Sequence, residues 1–265
     1  MNQKTFLFIG GIHRSGTSLL HEILRSHPRV SGFHRTKAPQ DEGQHLQSVF
    51  QSAKAFGGPG RFGFDERSFM DEHHSLATAE NAKILFNQWS RHWDLQRDYL
   101  VEKSPPNLVR TRFLQAMFPR SAFIIVLRQP IAVAYATEKM SRTSIASLIE
   151  HTLLCYERFL SDLPRLNRCF VLRYEEFVRN PQAVFDEICR FLDIEPVRIQ
   201  QKVHADVNDG YFQKWEKDKA SLLTSLPATH EERTNRVGYS LHRAKDLLSV
   251  SFLGAHDRPM QLSSA

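Results

Sequence analysis

Apolar positions along this chain fall into two rhythms. Unbroken apolar runs occur at Thr5-Phe6-Leu7-Phe8-Ile9, Ala122-Phe123-Ile124-Ile125-Val126-Leu127 and Cys169-Phe170-Val171-Leu172-Arg173. Runs without polar alternation predict strands buried on both faces. Tyr99-Leu100-Val101-Glu102-Lys103 reads as a shorter strand that Ser104-Pro105-Pro106 breaks. Between these, the spacing turns helical. Leu19, Leu20, Ile23 and Leu24 form one stripe in a helix that starts near Ser15 and ends at His27-Pro28. Further helices are predicted over 76–95, 108–117, after Pro130, and over 145–161 and 181–192. Gly10 and Gly11 are expected to stop the first strand. Residues 31–75 keep neither rhythm: they are polar, rich in Gly, His and Gln, and contain Gly57-Gly58-Pro59-Gly60. Beyond about residue 200 the pattern is polar and assigns no element. Strands alternating with helices predict an α/β fold with a mainly parallel central sheet flanked by helices. No internal repeat is present, so a single domain over 1–265 is expected, with 31–75 inserted on one side of the site.

Composition narrows the partners. At 41% hydrophobic and 24% charged residues the chain has ordinary globular make-up, and a formal charge of +6 favours anionic ligands. Lys and Arg are interspersed with Asp and Glu, so there is no basic tail. Cys155, Cys169 and Cys189 are widely spaced without CxxC, which gives neither a disulfide framework nor a zinc site. Reduced thiols are expected. No apolar run approaches the length of a signal-peptide core or a membrane span. The expected setting is cytoplasmic, with a trimmed Golgi-type leader left open.

The first chemistry sits after the first strand. Gly11-Ile12-His13-Arg14-Ser15-Gly16-Thr17-Ser18 joins a strand to a helix, where backbone N–H groups and the helix dipole meet an anion. It nearly fits the nucleotide loop GxxxxGK[ST], but Thr17 stands where the lysine belongs. The second strong strand ends in Arg128, where a kinase or NTPase would carry a magnesium-binding Asp. The cation lies inside the loop instead, at Arg14. This arrangement is read as neutralising phosphate and sulfate with arginine and backbone, without metal.

The stretch from Gly10 to Leu20, followed by His27-Pro28, resembles the 5'-phosphosulfate loop of sulfotransferases that use PAPS (3'-phosphoadenosine-5'-phosphosulfate). An arginine at its basic position resembles the tyrosylprotein and bacterial branches. Ala122 to Pro130 resembles the family's 3'-phosphate strand and loop, and Cys169 to Phe177 with Asn180-Pro181 and Phe191-Leu192 its third block. The resemblance covers residues 5–195, with its blocks in the family's order. It implies PAPS as donor and PAP as product. His13, Arg14, Ser15, Gly16, Thr17 and Ser18 would hold the 5' end and Arg128 the 3'-phosphate. The family's clamp adds a serine eight residues after that arginine. Here the position is Ala136, and Thr137 is the expected substitute.

Sulfuryl transfer is an in-line displacement that builds negative charge on the leaving oxygen, so the protein supplies position, cations and a base. Arg14 is expected at the leaving group. Lys103 lies where the tyrosylprotein branch carries its catalytic lysine, by its spacing to Phe118-Pro119. That branch places a glutamate soon after His-Pro, but this chain has Phe33-His34-Arg35 there. Asp41-Glu42-Gly43-Gln44-His45 resembles a bacterial variant of the region, which makes Glu42 the first choice of base, His45 the second and His34 the third. Adjacent His73 and His74 lack a metal-site pattern and are read as surface. Trp89 and Trp93, spaced four apart, are read as core. The acceptor is a hydroxyl of a sugar, phenol, peptidyl tyrosine or lipid alcohol. Two alternatives stand beside this reading: a phosphate-loop kinase or NTPase, and a basic nucleic-acid-binding protein. The first lacks its lysine and strand-end Asp, and the second lacks arginines gathered on one helical face.

Overall fold

The computed structural model describes residues 4–257. In chain order, the regular elements are β1 (Thr5–Gly11), α1 (Thr17–Arg25), β2 (Val30–Gly32), α2 (Ala79–Trp89), β3 (Tyr99–Lys103), α3 (Thr111–Met117), β4 (Ser121–Leu127), α4 (Pro130–Ser141), α5 (Ile145–Asp162), β5 (Arg168–Arg173), α6 (Tyr174–Arg179), α7 (Pro181–Phe191), α8 (Asp209–Ser225), α9 (Thr229–Arg236) and β6 (Gly254–Asp257). Among the described residues the strands form one sheet in the order β2-β3-β1-β4-β5-β6. All neighbouring pairs are parallel except β5 with β6. This is the α/β architecture the apolar rhythm predicts.

Successive strand side chains point to opposite faces, and here both faces are covered. Phe6, Phe8, Phe123 and Ile125 pack with Trp89 of α2, Phe113 of α3 and Tyr156 of α5. Leu7, Ile9, Ala122 and Ile124 pack on the other side with Leu20 and Ile23 of α1 and Phe185 and Ile188 of α7. Double coverage is why these strands read as unbroken apolar runs. Among the described residues no helix is long and apolar enough to cross a membrane.

Several expected boundaries move. β1 does not stop at Gly10: Gly10 and Gly11 pair with Ile125 and Val126. They are glycines because a Cβ on Gly10 would lie 2.8 Å from the Leu108 nitrogen, and one on Gly11 2.4 Å from Ser15 Oγ. The helix expected over 76–95 begins after the Thr78 cap and gives way at Trp89 to a 3-10 turn, Ser90–His92. Trp93 therefore lies beyond it. Both tryptophans are core residues, with their indole N–H groups donating to the Gly43 and Val101 carbonyls. The polar tail contains α8, α9 and β6. In α8, Phe212 and Trp215 are the buried side chains, too few to print a stripe on the sequence.

The strand register sets the site. Ile9 faces Lys103 in β3, while Gly11 faces Val126 in β4. The carboxyl ends of β1, β3 and β4 thus open together. The chain leaves β1 for β2 and β3 on one side and then crosses to β4 on the other. A crevice at such a reversal is where open α/β sheets bind ligands.

Candidate active site

The loop after β1 is held by a Ser15 N–H to Ile12 carbonyl bond of 3.1 Å. Arg14 (φ 69°) and Gly16 (φ 101°) are both left-handed. Left-handed residues just ahead of a helix N-terminus build a concavity suited to anions. Ser15 Oγ is buried there without a partner among the described residues. A Cβ on Gly16 would lie 2.4 Å from the Tyr174 ring. That ring in turn carries the Arg128 guanidinium, 4.2 Å from its centroid. Gly16→Ala is therefore expected to push Tyr174 off Arg128 as well as to strain the backbone by roughly 1–2 kcal/mol. Calorimetry should show a lower melting temperature and weaker PAP binding, whereas Ser18→Ala on the exposed side of α1 should leave the melting temperature unchanged.

Arg128 follows β4 and is 5% exposed. The Tyr156 hydroxyl fixes its backbone, accepting from the Arg128 N–H at 2.8 Å and donating to its carbonyl at 2.9 Å. Its guanidinium donates to the Arg14 carbonyl and, through Nε at 3.0 Å, to Asn208 Oδ1. Asn208 Nδ2 passes the contact to Glu175 Oε1 at 2.9 Å, so a half-buried carboxylate faces the buried cation through an amide. Burial raises the pKa of Glu175.

These groups converge on a cleft of about 330 Å³ lined by His13, Arg14, Thr17, Glu42, Arg128 and Tyr174, among others. Glu42 enters between two 3-10 turns, Pro39–Asp41 and Gly43–His45. Its Oε1 lies 3.4 Å from Lys103 Nζ. Lys103, at the end of β3, is fully buried and donates at 2.8 Å to the Gln40 carbonyl. Burial lowers its pKa, with Glu42 opposing the shift. Lys103 thus reaches the cleft through Glu42 and Gln40. His13 packs roughly perpendicular to the Phe62 ring, 5.7 Å between centroids, and its Nδ1 is buried without a partner among the described residues. Its pKa falls to about 3, chiefly through burial and then through His151, Lys103 and His45. Beneath the excursion, burial pushes Glu102 up to about 7 against hydrogen bonds from Ser104 and Asn107.

The other expected site residues lie outside the cleft's lining. His45 is exposed, its Nε2 3.8 Å from Glu42 Oε2, so it borders the carboxylate from solvent. His34 is exposed just past β2. Thr137, the expected substitute for the clamp serine, is 2% exposed, its methyl lies under Gly60, and its Oγ1 has no partner among the described residues. One helical turn places Ala136 on the same face as Met140, which lines the cleft, and turns Thr137 inward. His73 is exposed and borders Glu72, and the three cysteines are free and buried. Sequence reasoning did not single out Tyr174 or Asn208. Tyr174 sits inside the third block and was within reach, but Asn208 lies in the polar tail and gave no signal.

The sulfotransferase family model matches residues 7–198, which span β1 through α7. The chain belongs to the sulfotransferase family. Protein-tyrosine sulfotransferase 2 of Gallus gallus is 27% identical over 207 residues, covering 72% of this chain and 52% of the relative. A putative protein-tyrosine sulfotransferase of Caenorhabditis briggsae is 23% identical over 231 residues, covering 80% and 75%. The chain spans about half the length of the Gallus gallus relative and of protein-tyrosine sulfotransferase 1 of Danio rerio. Among solved structures, the sulfotransferase domain from the curacin biosynthetic pathway superposes with a TM-score of 0.53 at 19% identity, covering 89% of this chain and 98% of that domain. That likeness establishes a sulfotransferase fold. The family match ends before Asn208, so this sulfotransferase braces Arg128 with a residue outside the matched region.

Proposed function

We propose that this sulfotransferase moves a sulfuryl group from PAPS to a hydroxyl acceptor. The observation that carries the reading is the convergence of Arg14, Arg128 and Glu42 on one cleft at the carboxyl ends of β1, β3 and β4. The residues present fit the nucleotide. The loop offers left-handed turns and the unpartnered Ser15 hydroxyl to the 5' end, and Arg128 offers a buried cation to the 3'-phosphate. PAPS supplies the activated sulfuryl group. Glu42 takes the acceptor's proton as its oxygen bonds to sulfur, while the bond from sulfur to the bridging phosphate oxygen breaks. Arg14 meets the charge left on that oxygen, and Lys103 adds its own charge from behind Glu42. A sulfate ester and PAP result.

The whole chain acts in this reading as one domain, with 31–75 forming the acceptor side. A cytoplasmic setting belongs to it, supported by the three free, buried cysteines. The names of the curated relatives put a phenolic hydroxyl first in an acceptor panel, ahead of sugars and lipid alcohols. Thermal shift with PAP, ATP with Mg²⁺, and an oligonucleotide tests the donor. PAP at 100 times its dissociation constant should stabilise by roughly 2.7 kcal/mol in the presence of EDTA. Stabilisation that strictly needs Mg²⁺, or a preference for ATP, would sink the reading.

A further inference from the structure

Glu42 is not held mainly by its lysine. The Lys103 contact is 3.4 Å, and that ammonium makes its shorter bond, 2.8 Å, to the Gln40 carbonyl. The shortest contact to the carboxylate comes from a neutral side chain, Gln44 Nε2, at 2.6 Å from Oε2. Gln44 is buried, and its own orientation leaves little freedom. Its Oε1 accepts the Ala53 N–H at 2.8 Å. A backbone N–H only donates, so the amide oxygen must face Ala53 and the amide N–H must face Glu42. Its backbone N–H donates to Ser104 Oγ at 3.0 Å, and that hydroxyl spends its single proton on Glu102 Oε1 at 2.6 Å. Gln44 is thus tied at both ends, to the segment after β3 and to the 3-10 turn Ala53–Phe56 of the excursion.

We propose that Gln44 is a positioning residue that holds the Glu42 carboxylate in the cleft and joins it to the excursion. The inference rests on the reading of Glu42 as the base. Without that donor the carboxylate is free to turn away from its working geometry, so turnover falls while PAP affinity holds. A residue that only packed the loop would act independently of Glu42.

The test is kcat set beside PAP affinity and the melting temperature of the PAP-bound protein. Gln44→Met keeps the length but neither side-chain hydrogen bond, and should lower kcat about 10- to 100-fold while PAP affinity holds. Gln44→Glu keeps an oxygen for the Ala53 N–H and puts an anion where the donor was. It should lower kcat the same way, and it serves if the methionine variant does not fold. In the Glu42→Gln background the Gln44 substitution should cost no further turnover, because both act through one carboxylate. An unchanged kcat in the folded variant, or a full further loss in the double variant, overturns the inference. The base reading is judged separately, by turnover of Glu42→Gln: full turnover there removes the base. Loss of turnover in Glu42→Gln with full turnover in the Gln44 variant removes only the role of Gln44.

Discussion

Glu42→Gln is expected to lower turnover roughly 10²–10⁴-fold while PAP affinity stays at the wild-type value. The amide keeps the size of the carboxylate and cannot accept the acceptor's proton. PAP affinity should hold because the nucleotide contacts proposed for Arg14, the loop and Arg128 do not involve Glu42. The competing effect is structural, since Lys103 is fully buried and loses its anion. Stripping one partner from a buried pair typically costs about 3–5 kcal/mol. Two features soften that cost here. The ammonium keeps its bond to the Gln40 carbonyl, and burial already lowers its pKa, in the direction of the neutral amine. Turnover is therefore to be measured alongside the melting temperature of the PAP-bound variant. A stable, PAP-binding protein that has lost turnover supports the base assignment. His45→Asn and His34→Asn should be milder, because one borders the carboxylate from solvent and the other lies outside the cleft's lining. A Glu42→Gln variant near wild type beside an inactive His45→Asn would transfer the role to His45.

The sequence carried the central sheet well because each strand there is buried on both faces, so its signal is a bare apolar run. It carried the loop after β1 for a different reason: Gly11, Gly16 and Arg14 sit where the backbone has little choice. Side-chain direction was less legible. Position 137 offers the right hydroxyl one residue from the expected place, and one residue on a helix is about 100° of rotation. That rotation takes Thr137 from the cleft to the space beneath Gly60. The 31–75 excursion defeats periodicity altogether. Its 3-10 turns are pinned by single side-chain contacts, such as Gln44 to Ala53 and Trp89 to Gly43, and such contacts follow no repeat. The same holds for Asn208, whose importance comes only from folding the tail of the chain back onto Arg128.

Arg128→Ala should weaken PAP binding by about 1.5–3 kcal/mol, the scale of a charge-assisted contact. In isothermal titration that is roughly 10- to 150-fold in Kd. The discriminating measurement is the same titration with adenosine 5'-phosphosulfate, which lacks the 3'-phosphate. Some loss is expected there too, because the guanidinium also holds the Arg14 carbonyl, and its removal loosens the loop that grips the 5' end. The 3' assignment therefore rests on the ratio of the two losses, which should favour PAP by about tenfold. Asn208→Ala supplies the intermediate case. It leaves the cation in place but removes the acceptor of its Nε–H and the amide that links it to Glu175. Arg128 would keep its stack on Tyr174 and its bond to Arg14. PAP affinity in this variant should fall between wild type and Arg128→Ala. Equal losses for PAP and adenosine 5'-phosphosulfate in Arg128→Ala would show that this arginine works through the loop, and the 3'-phosphate would then have to be sought against other cations of the chain.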